Sequence, residues 1–190
     1  MIFFDEIIEN KIFENEIFED IDVEKIEFKK CIFKNCRFSA SIFYDCEFND
    51  TFFENSDISN IKFDRSRFYK SKFKNSKSVG TSFTDSNFNA VDFSDSILRY
   101  ANFANSRFKG VDFVNTDLNN SIFADCNVKR LFFDKCTLSN SDFFKTNLHA
   151  INFTTCEVDG VVVSPELLKG AIVTNSQAVE LAKLMGIIVK

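Results

Sequence analysis

The sequence predicts an all-β repeat protein whose core runs as a line along a rod. Three observations support this: a period of five residues, a large apolar residue at the centre of each unit, and no insertion that shifts the phase. Residues 91–120 show the period most clearly, because Phe or Leu recurs at every fifth position, with small or β-branched residues two positions before most of them. A strict repeat of this kind builds a solenoid rather than a globular core.

The central column of large apolar residues extends over 33 consecutive units, from Phe3 to Val163. It contains 22 Phe, four Leu, four Val and two Ile, and its only polar member is Ser78. Because 22 of the 26 Phe share this phase, we expect no projecting loop between residues 3 and 163. A period of five fits neither a helix nor a continuous strand. The central residue and the residue two before it can both point inward from an extended segment, so a corner must follow each unit.

Composition excludes several classes of function. The chain has 190 residues and a formal charge of −5, which gives no basic excess suited to general nucleic-acid binding. It contains no apolar run of about eighteen residues, so we expect no membrane span. The segment Met1 to Glu6 lacks a basic stretch ahead of an apolar one, which predicts no secretory signal and a cytoplasmic location.

The units resemble the pentapeptide-repeat family, whose consensus is a small residue or Ala, then Asp or Asn, then Leu or Phe, then two polar residues. Units such as Ala101-Asn102-Phe103-Ala104-Asn105 carry the resemblance, which covers about 160 of the 190 residues. It implies a right-handed quadrilateral β-helix with four units and twenty residues to a coil. About eight coils at the strand spacing of about 4.8 Å then give a rod of roughly 40 Å.

All six cysteines lie in the small inward column, two residues before a centre: Cys31, Cys36, Cys46, Cys126, Cys136 and Cys156. One interpretation is a metal site or disulfides, since Cys136 and Cys156, one coil apart, could approach each other. The other, which we favour, is that cysteine simply fits a small inward slot, because this explains all six at once. His149 is the single histidine and lies at an outward position with no second ligand implied by spacing, so we predict no metal and no cofactor.

Residues 1–25 keep the phase but change the chemistry. Glu6, Lys11 and Glu16 occupy the small inward column, which a regular coil cannot bury, and the segment has a local charge of −7. Ile also recurs every five residues before the centre, at Ile2, Ile7, Ile12 and Ile17. We therefore expect residues 1–25 to pack differently, as an acidic N-terminal cap over a regular β-helix that spans residues 26–163. A polar terminal coil would also block end-to-end stacking of open β edges.

Residues 164–190 are expected to form a C-terminal cap. Ser164 followed by Pro165 predicts a helical turn with Ser164 as its N-cap. Thr174 to Gln177 has capping-box spacing and begins a helix that stops at Gly186, and Ile187-Ile188-Val189 predicts a short strand. The helix is apolar on more than one side, which predicts that it covers the core and also forms a homodimer contact. The candidate dimer residues are Val179, Leu181, Leu184, Met185 and Ile187.

At twenty residues per coil, polarity differs between faces. The face centred on Phe28, Phe48, Phe68, Phe88 and Phe108, named the Phe48 face below, is basic through Lys29, Lys30, Arg67, Lys70, Arg107, Lys109, Lys129 and Arg130. The faces centred on Phe43 and on Ile58 are acidic. Their candidate partner-binding residues are Asp45, Asp64, Asp85, Asp125 and Asp142 for the Phe43 face, and Asp57 and Asp117 for the Ile58 face. One column, from Asp5 to Lys145 in steps of twenty, nearly alternates in sign, which predicts stacked ion pairs that fix the register.

The segment from Gly160 to Ile187 resembles the C-terminal end of the quinolone-resistance pentapeptide-repeat proteins. That resemblance implies a homodimer joined at its C-terminal ends that binds DNA gyrase and topoisomerase IV by imitating B-form DNA, without contacting nucleic acid itself. A duplex carries about one negative charge per 1.7 Å, so mimicry by this chain would be confined to selected faces. Several members of that family also have projecting loops that matter for protecting gyrase from drugs, and this sequence has no room for one.

Two alternatives stay open. One is a structural or scaffold module for an unrelated cytosolic partner, with outward apolar residues as contact points: Ile32, Ile42, Phe52, Ile122, Phe132 and Phe144. Shelter by neighbouring coils is the simpler explanation of most of these residues. The other alternative is a repeat protein with no partner beyond itself. An enzyme is not expected, because the sequence contains no Ser-His-Asp set, no glycine-rich phosphate loop and no metal-ligand spacing.

Overall fold

The structure is a computed structural model that describes residues 6–184 and 186–189. Short strands follow one another at five-residue intervals through most of the chain, and the three-residue strands are centred on the predicted inward position. Three later strands have eight residues, because two neighbouring units continue without a break. The strands are β1 (Ile7–Glu9), β2 (Ile12–Glu14), β3 (Ile17–Glu19), β4 (Asp22–Glu24), β5 (Glu27–Lys29), β6 (Ile32–Lys34), β7 (Arg37–Ser39), β8 (Ile42–Tyr44), β9 (Glu47–Asn49), β10 (Phe52–Glu54), β11 (Arg67–Tyr69), β12 (Lys72–Lys74), β13 (Asn87–Ser94), β14 (Arg107–Val114), β15 (Asn127–Asp134), β16 (Asp142–Phe143) and β17 (Val162–Val163).

The strands pair in parallel with a register of twenty residues. Phe68 in β11 lies opposite Phe48 in β9 and Phe88 in β13. Two further sides begin as β3 with β7 and β4 with β8, and isolated bridges at the same spacing continue them. Four units therefore complete one coil, and about eight coils form the predicted four-sided β-helix. In chain order the sides are the Phe43 face, the Phe48 face, the side centred on Phe53 (the Phe53 face) and the Ile58 face, so the Phe48 and Ile58 faces lie on opposite sides of the rod.

The corner after each strand is made by a residue in the left-handed backbone region. At every fifth position from 10 to 150 except Arg130, φ is positive, and the non-glycine values lie between +46° and +62°. Ten Asn and six Asp are among these residues, and their short polar side chains tolerate this region better than most. The corner directs its N–H toward the next coil, as where the Asn55 N–H donates to the Lys74 carbonyl at 3.0 Å. The corners thus both turn the chain and connect the coils.

A ladder of side-chain amides runs along the corner between the Phe53 and Ile58 faces. Asn35 Nδ2 donates to Asn15 Oδ1 at 3.1 Å. Farther along the rod, Asn75 Nδ2 donates to Asn55 Oδ1 at 2.8 Å. Because identical amides stack at the strand spacing, these bonds hold neighbouring coils in register without burying a charge.

The core is a stack of phenylalanine rings. Within one side the rings of successive coils lie face to face, as for Phe53 and Phe73, whose centroids are 4.8 Å apart with planes at 1°. Between neighbouring sides the rings meet edge to face, as for Phe63 and Phe68 at 5.7 Å and 80°. The face-to-face distance matches the spacing of paired strands, so the backbone and the rings share one repeat. Ser78 interrupts the column: it is fully buried, and its Oγ has no hydrogen-bond partner among the described residues.

The small inward column connects each coil to the previous one. Ser66 Oγ donates to the Phe43 carbonyl at 3.1 Å, and Ser86 Oγ donates to the Phe63 carbonyl at 3.0 Å. The Ser86 hydroxyl also accepts a hydrogen bond, since the Ser66 N–H donates to Ser86 Oγ at 3.1 Å. Each of these buried hydroxyls therefore has a donor and an acceptor partner, which offsets the cost of removing it from water.

For residues 6–24, the prediction that the N-terminal cap or first coil packs differently is wrong. Strands β1 to β4 form a complete coil in the ordinary register with β5 to β8. Glu6 and Lys11 are exposed and Glu16 is half-buried, because no further coil covers this end within the described residues. Ile2 and Asp5 lie outside the described residues. The remaining isoleucines before the centre on this coil are exposed: Ile7, Ile12 and Ile17.

The chain leaves the last coil through a short 3-10 helix at Pro165–Leu168. Ser164 precedes this helix with extended backbone, but, contrary to the prediction, its side chain makes no capping bond. Instead Ser164 Oγ accepts a hydrogen bond from the backbone N–H of Lys145 at 2.9 Å. Ser164 is buried, and its hydroxyl thus connects the end of the last unit to the corner of the preceding coil.

The predicted capping box forms at the start of α1 (Asn175–Leu184). The Gln177 N–H donates to Thr174 Oγ1 at 3.2 Å, and the Thr174 N–H donates to Gln177 Oε1 at 2.8 Å. These reciprocal bonds satisfy two backbone donors at the helix N-terminus. Gly186, with φ +75°, closes the other end, and its N–H bonds to the Lys183 carbonyl at 3.0 Å. A left-handed glycine is the usual end of a helix, as the sequence predicted.

Helix α1 is attached to the last coil mainly through one side chain. Gln177 Nε2 donates to the carbonyls of Phe153 and Cys156 at 2.8 Å each. Leu181 is half-buried and packs against the core. The predicted strand at Ile187–Val189 does not form, since these residues have no strand pairing.

Two adjacent phenylalanines test which column holds the fold. Phe53 is 1% exposed between stacked rings, whereas Phe52 is half-buried on the outer surface. We expect Phe53→Ala to lower the free energy of unfolding by about 3–5 kcal/mol, because it leaves a cavity in the ring stack. The matched Phe52→Ala variant should cost less than about 1 kcal/mol. Urea denaturation measures both, and equal losses would contradict the inward assignment.

Candidate interaction surface

The described residues offer little reactive chemistry. They contain no group of three or more His, Cys, Asp or Glu side chains placed to hold a metal ion. The Nδ1 of His149 lies 3.1 Å from the Lys169 carbonyl at an exposed corner. A surface pocket of 430 Å³ lies between the last coil and α1, with Cys156, Gln177 and Glu180 among its lining residues. None of the helices described is long and apolar enough to cross a bilayer. Because rings fill the interior, the outer faces are the candidate functional surface.

Most cysteines occupy the same slot as the serines, as predicted. The thiols of Cys31 and Cys126 lie 3.2 Å from the carbonyls of Ile8 and Phe103, which are 23 positions earlier in the chain. Three more cysteines make the same bond: Cys36, Cys46 and Cys136. Burial raises the pKa of Cys46 to about 11 and that of Cys126 to about 12. Such thiols stay protonated at neutral pH and are poor nucleophiles.

Cys156 departs from this pattern. It lies one coil beyond Cys136, and the interaction between the two thiols lowers the pKa of Cys156 and raises the pKa of Cys136. Cys156 carries the charge more readily because it is 8% exposed, against 1% for Cys136, and so loses less solvation. The Thr155 hydroxyl lies 3.9 Å from the Cys156 sulfur and also favours the thiolate. Periodicity alone gives no sign of this difference between two cysteines in one column.

The seven predicted acidic residues do not form one patch. Asp64 and Asp142 lie on the Phe43 face, Asp57 and Asp117 lie on the neighbouring Ile58 face, and Asp45, Asp85 and Asp125 lie at the corner before the Phe48 face. Each corner residue is counted here with the face that precedes it. The Phe43 face then has seven acids and four cations between residues 22 and 145. The Ile58 face has six acids and three cations between residues 19 and 159. The two adjoining faces are therefore moderately acidic.

Most of these carboxylates bond to their own chain. Asp57 Oδ2 lies 3.7 Å from Lys77 Nζ, and Asp117 pairs with Arg99. Asp142 Oδ1 accepts the Phe144 N–H at 2.8 Å, and Asp64 Oδ1 accepts the Thr84 N–H at 3.1 Å. These bonds orient the residues after each strand centre. Within the described part of the chain, Asp45 and Asp85 have no cation within 4.0 Å, so they are the least compensated of the set.

The sign-alternating column forms only part of the predicted ion-pair ladder. Asp125 Oδ1 and Lys145 Nζ are 4.0 Å apart. Lys25 pairs instead with Glu24 beside it at 2.5 Å. Arg65 Nη1 donates to the Tyr44 hydroxyl at 2.8 Å and its guanidinium lies over the Tyr44 ring at 5.4 Å. The prediction of a continuous register device is therefore wrong, because long side chains at an exposed corner reach nearer partners within one coil or on the neighbouring strand.

The Phe48 face divides into two parts. In its first coils acids compensate the cations, as where Lys29 Nζ lies 3.2 Å from Glu9 Oε1. From β11 onward its outward positions contain no Asp or Glu.

This part of the Phe48 face also contains an irregularity that sequence reasoning missed: the register between β14 and β15 shifts so that Lys109 lies opposite Arg130. The available signal was Val128, which replaces the usual large residue of this column and is only half-buried.

The predicted dimer residues divide between the two sides of α1. Val179, Leu184 and Ile187 are 37%, 50% and 51% exposed. Leu181 faces the last coil, where it lines a small apolar cavity with Phe153 and other core residues. Met185 lies outside the described residues. The structure thus brings three of the five residues to the surface near the C-terminal end of the rod.

Comparison with known proteins places the repeat in a defined group. The profile described as "Pentapeptide repeat region" matches residues 26–103, 51–123 and 82–163, which together cover residues 26–163. No curated protein matches the chain in sequence.

Three solved structures illustrate the similarity. QnrB1, a plasmid-mediated fluoroquinolone resistance protein, is 18% identical over 95% of this chain and 100% of its own, with a TM-score of 0.40. HetL, a pentapeptide repeat protein involved in heterocyst differentiation regulation in the cyanobacterium Nostoc, is 12% identical over 88% of this chain and 90% of its own, with a TM-score of 0.32. A pentapeptide repeat protein from the Arabidopsis thaliana thylakoid lumen is 22% identical over 68% of this chain and 72% of its own, with a TM-score of 0.28. With identities and TM-scores this low, the likenesses say nothing about the partners of this chain.

Thiol reactivity tests the difference between Cys156 and the other cysteines. We expect iodoacetamide to modify Cys156 first in the native protein, and to do so at a lower pH than an ordinary thiol, because its pKa is lowered by Cys136. Cys136→Ala removes the neighbouring thiol that lowers the pKa of Cys156 and should slow this modification several-fold at neutral pH. Cys126→Ala, in the same inward column, should leave the rate unchanged. Peptide mapping by mass spectrometry identifies the modified residue, and first modification at Cys46 or Cys126 would contradict the assignment.

Proposed function

Because the chain belongs to the pentapeptide-repeat family, we propose that it is a non-enzymatic protein-binding rod whose partner is a type II topoisomerase, either DNA gyrase or topoisomerase IV. The observation that carries the binding role is the filled core. Stacked rings such as those of Phe83 and Phe103, 5.0 Å apart, fill the interior of the coils that the structure describes. Binding then depends on flat outer faces, which rigid parallel strands hold in fixed register.

The choice of a topoisomerase rests on the resemblance of residues 160–187 to the C-terminal end of the quinolone-resistance proteins. An elongated rod with acidic sides is a shape that a DNA-binding groove accepts. The acidic charge is confined to the Phe43 and Ile58 faces, and a duplex of the same length carries several times more charge. We therefore assign the contact to these two adjoining faces and to the corner that holds Asp45 and Asp85, rather than to the whole circumference.

The absence of a projecting loop indicates the type of effect. Between residues 6 and 163 every unit keeps the five-residue phase, so no segment of this described region extends from the coil. In the quinolone-resistance proteins, loops matter for protection from drugs. We expect this chain to compete with DNA for the enzyme and to slow supercoiling, and to relieve quinolone inhibition weakly in comparison.

Homodimerisation through the C-terminal end is part of this proposal. The exposed apolar side chains of Val179, Leu184 and Ile187 lie near the end of the rod, and covering them with a second copy would remove them from water. Two rods joined there would reach about 80 Å at the strand spacing. A cytoplasmic location follows from the proposed partner.

One observation favours the scaffold alternative. Four of the six predicted outward apolar contacts are half-buried, as expected from shelter by neighbouring coils: Ile32, Ile42, Phe52 and Ile122. Phe132 and Phe144 are instead 43% and 46% exposed. The two rings lie on opposite sides of the rod, Phe132 on the Phe53 face and Phe144 on the Phe43 face, and each is a suitable anchor for another protein. This alternative predicts no effect on topoisomerases.

A supercoiling assay tests the topoisomerase proposal. We expect the protein to inhibit ATP-dependent supercoiling by gyrase, and the Asp85→Lys, Asp125→Lys double variant to require an about tenfold higher concentration, because both carboxylates lie on the assigned contact surface. Lysine fits these corners, since Lys25 and Lys145 occupy the same column with φ +60° and +56°. The assay is repeated with a fluoroquinolone to measure any relief.

The matched control reverses two aspartates outside the assigned surface. Asp50 lies at the corner between the Phe48 and Phe53 faces and Asp92 lies on the Phe53 face, so Asp50→Lys, Asp92→Lys makes the same change of net charge away from the assigned contact. We expect this control to inhibit nearly as well as the unmodified protein. An absence of inhibition by the unmodified protein at high concentration would refute the topoisomerase proposal and leave the scaffold alternative.

Sedimentation tests the proposed dimer. Leu184 is 50% exposed on α1, and Leu184→Glu should convert the dimer to a monomer because it places a charge in the apolar contact. Ile97→Glu is the matched control, since Ile97 is 43% exposed at the middle of the rod. A dimer that persists in the Leu184→Glu variant, or a monomeric unmodified protein, would contradict the C-terminal interface.

A further inference from the structure

One surface has no role in the proposed function: the C-terminal part of the Phe48 face, which we name the basic strip. It comprises the outward residues of four successive coils: Arg67, Tyr69, Lys70, Asn87, Asn89, Ala90, Arg107, Lys109, Gly110, Asn127, Lys129 and Arg130. Six of the twelve are cations and none is an acid. Every polar side chain of the strip can donate a hydrogen bond, and none carries a negative charge. A surface of this kind favours an anionic ligand.

The positive charge of the strip is only partly neutralised by neighbours. Arg67 Nη1 lies 2.5 Å from Glu47 Oε1, and Arg130 Nη2 donates to both carboxylate oxygens of Asp112 at 2.7 and 2.9 Å. Across the described ranges, no carboxylate lies within 4.0 Å of the three cations at the centre of the strip, and all three are exposed: Arg107, Lys109 and Lys129. These lie on two consecutive coils, so their charges act together.

The only irregular corner between residues 10 and 150 lies in this strip. Arg130 is the one fifth-position residue in that range without positive φ, and the β14–β15 register shifts around Lys109. Lys109 pairs with Arg130 rather than with Lys129, which leaves Lys129 unpaired as in a β-bulge, and the register returns to twenty residues at Val111 and Leu131. The bulge turns Arg130 toward Asp112 and leaves Lys129 outward beside the unpaired cations. Bulges redirect side chains at functional surfaces, so this break supports a binding role.

The borders of the strip determine the width of a ligand. Asp85 and Asp125 alternate with Arg65 and Asn105 at the corner on one side, and Asp92 and Asp112 lie opposite each other on the first outward column of the other side. The basic band between them is three outward residues wide, about 10 Å, and about 14 Å long over three coil steps. A membrane surface or a nucleic-acid duplex is wider than this band and would meet the acidic borders. A single extended polypeptide fits between them.

We propose that the basic strip binds an extended acidic segment of a partner polypeptide, which lies along the rod axis. Carboxylates of the segment pair with Arg107, Lys109 and Lys129, and its backbone carbonyls accept hydrogen bonds from the amides of Asn87 and Asn127. Acidic side chains on alternate residues of an extended segment project to one side about 7 Å apart, which is within reach of these long cationic side chains. Charge-assisted bonds of this kind favour carboxylates over neutral peptides.

Fluorescence anisotropy tests the proposal. The probe is a fluorescein-labelled peptide of about eight glutamates, which spans roughly 26 Å when extended and so exceeds the length of the strip. We expect saturable binding at low ionic strength that weakens with added salt. The Arg107→Gln, Lys109→Gln, Lys129→Gln triple variant should bind about tenfold more weakly. The corresponding glutamine peptide should not bind.

A matched triple variant separates the strip from net charge. Lys62→Gln, Lys74→Gln, Lys135→Gln removes the same charge from exposed positions on other faces, and it should weaken binding less than about twofold. Thermal unfolding confirms that both triple variants keep the fold, since all six side chains point outward. Equal weakening in the two triples would refute the strip as a site.

Competing ligands identify the partner class. A sixteen-base-pair DNA duplex and vesicles that contain phosphatidylserine are measured on the same proteins. Binding of either one through the strip, with no binding of the glutamate peptide, would overturn the proposal. The inference is independent of the topoisomerase proposal, because the strip triple should leave the supercoiling assay unchanged and the Asp85→Lys, Asp125→Lys variant should still bind the peptide.

Discussion

The left-handed residue that ends each unit is the constraint on which the rest of the structure depends. It turns the chain at each corner after a three-residue strand, so that four units return the chain to its starting side, displaced by one strand spacing. Outside Gly, Asn and Asp this conformation is strained by about 1–2 kcal/mol per residue. The structure retains it because each corner N–H, such as that of Asn55, bonds to the next coil, and because the turn places each ring against the ring of the coil before it.

One consequence is that residues twenty positions apart stack in a column along the rod. Inward, the rings stack at the strand spacing, and Ser, Thr or Cys in the second column donates to a carbonyl 23 residues earlier. On the outer surface, the residues that recur in steps of twenty determine the charge and polarity of each face. The faces therefore differ in charge although the units are alike, with acids prevailing on the Phe43 and Ile58 faces and cations on the Phe48 face. A partner that binds this rod therefore contacts a face with its own charge and polarity.

The departures from the period are the most informative positions. The bulge at Lys129 and Arg130 lies in the part of the Phe48 face that has no Asp or Glu. Regular pairing would have placed Lys129 opposite Lys109 and Arg130 at a left-handed corner. Cys156 has a thiol of lowered pKa where the other coils have an inert one, because the ladder ends there and its neighbour is another thiol. Each departure has a local physical cause, and each lies on or near a surface that a partner or reagent can reach.

The sequence by itself determined the phase, the inward columns, the structural role of most cysteines and the capping box of α1, because these follow from spacing within a few residues or from a strict repeat. It could not determine how the first coil uses Glu6 and Glu16, since their exposure depends on whether another coil covers them. The sequence predicted more ion pairs than form along the column that contains Lys25 and Arg65. Their exposed side chains contact other partners instead, and only the folded surface brings those partners near. Tertiary structure alone decided the bulge and the borders of the basic strip, since register shifts and the distance between columns depend on how whole coils stack rather than on any single unit.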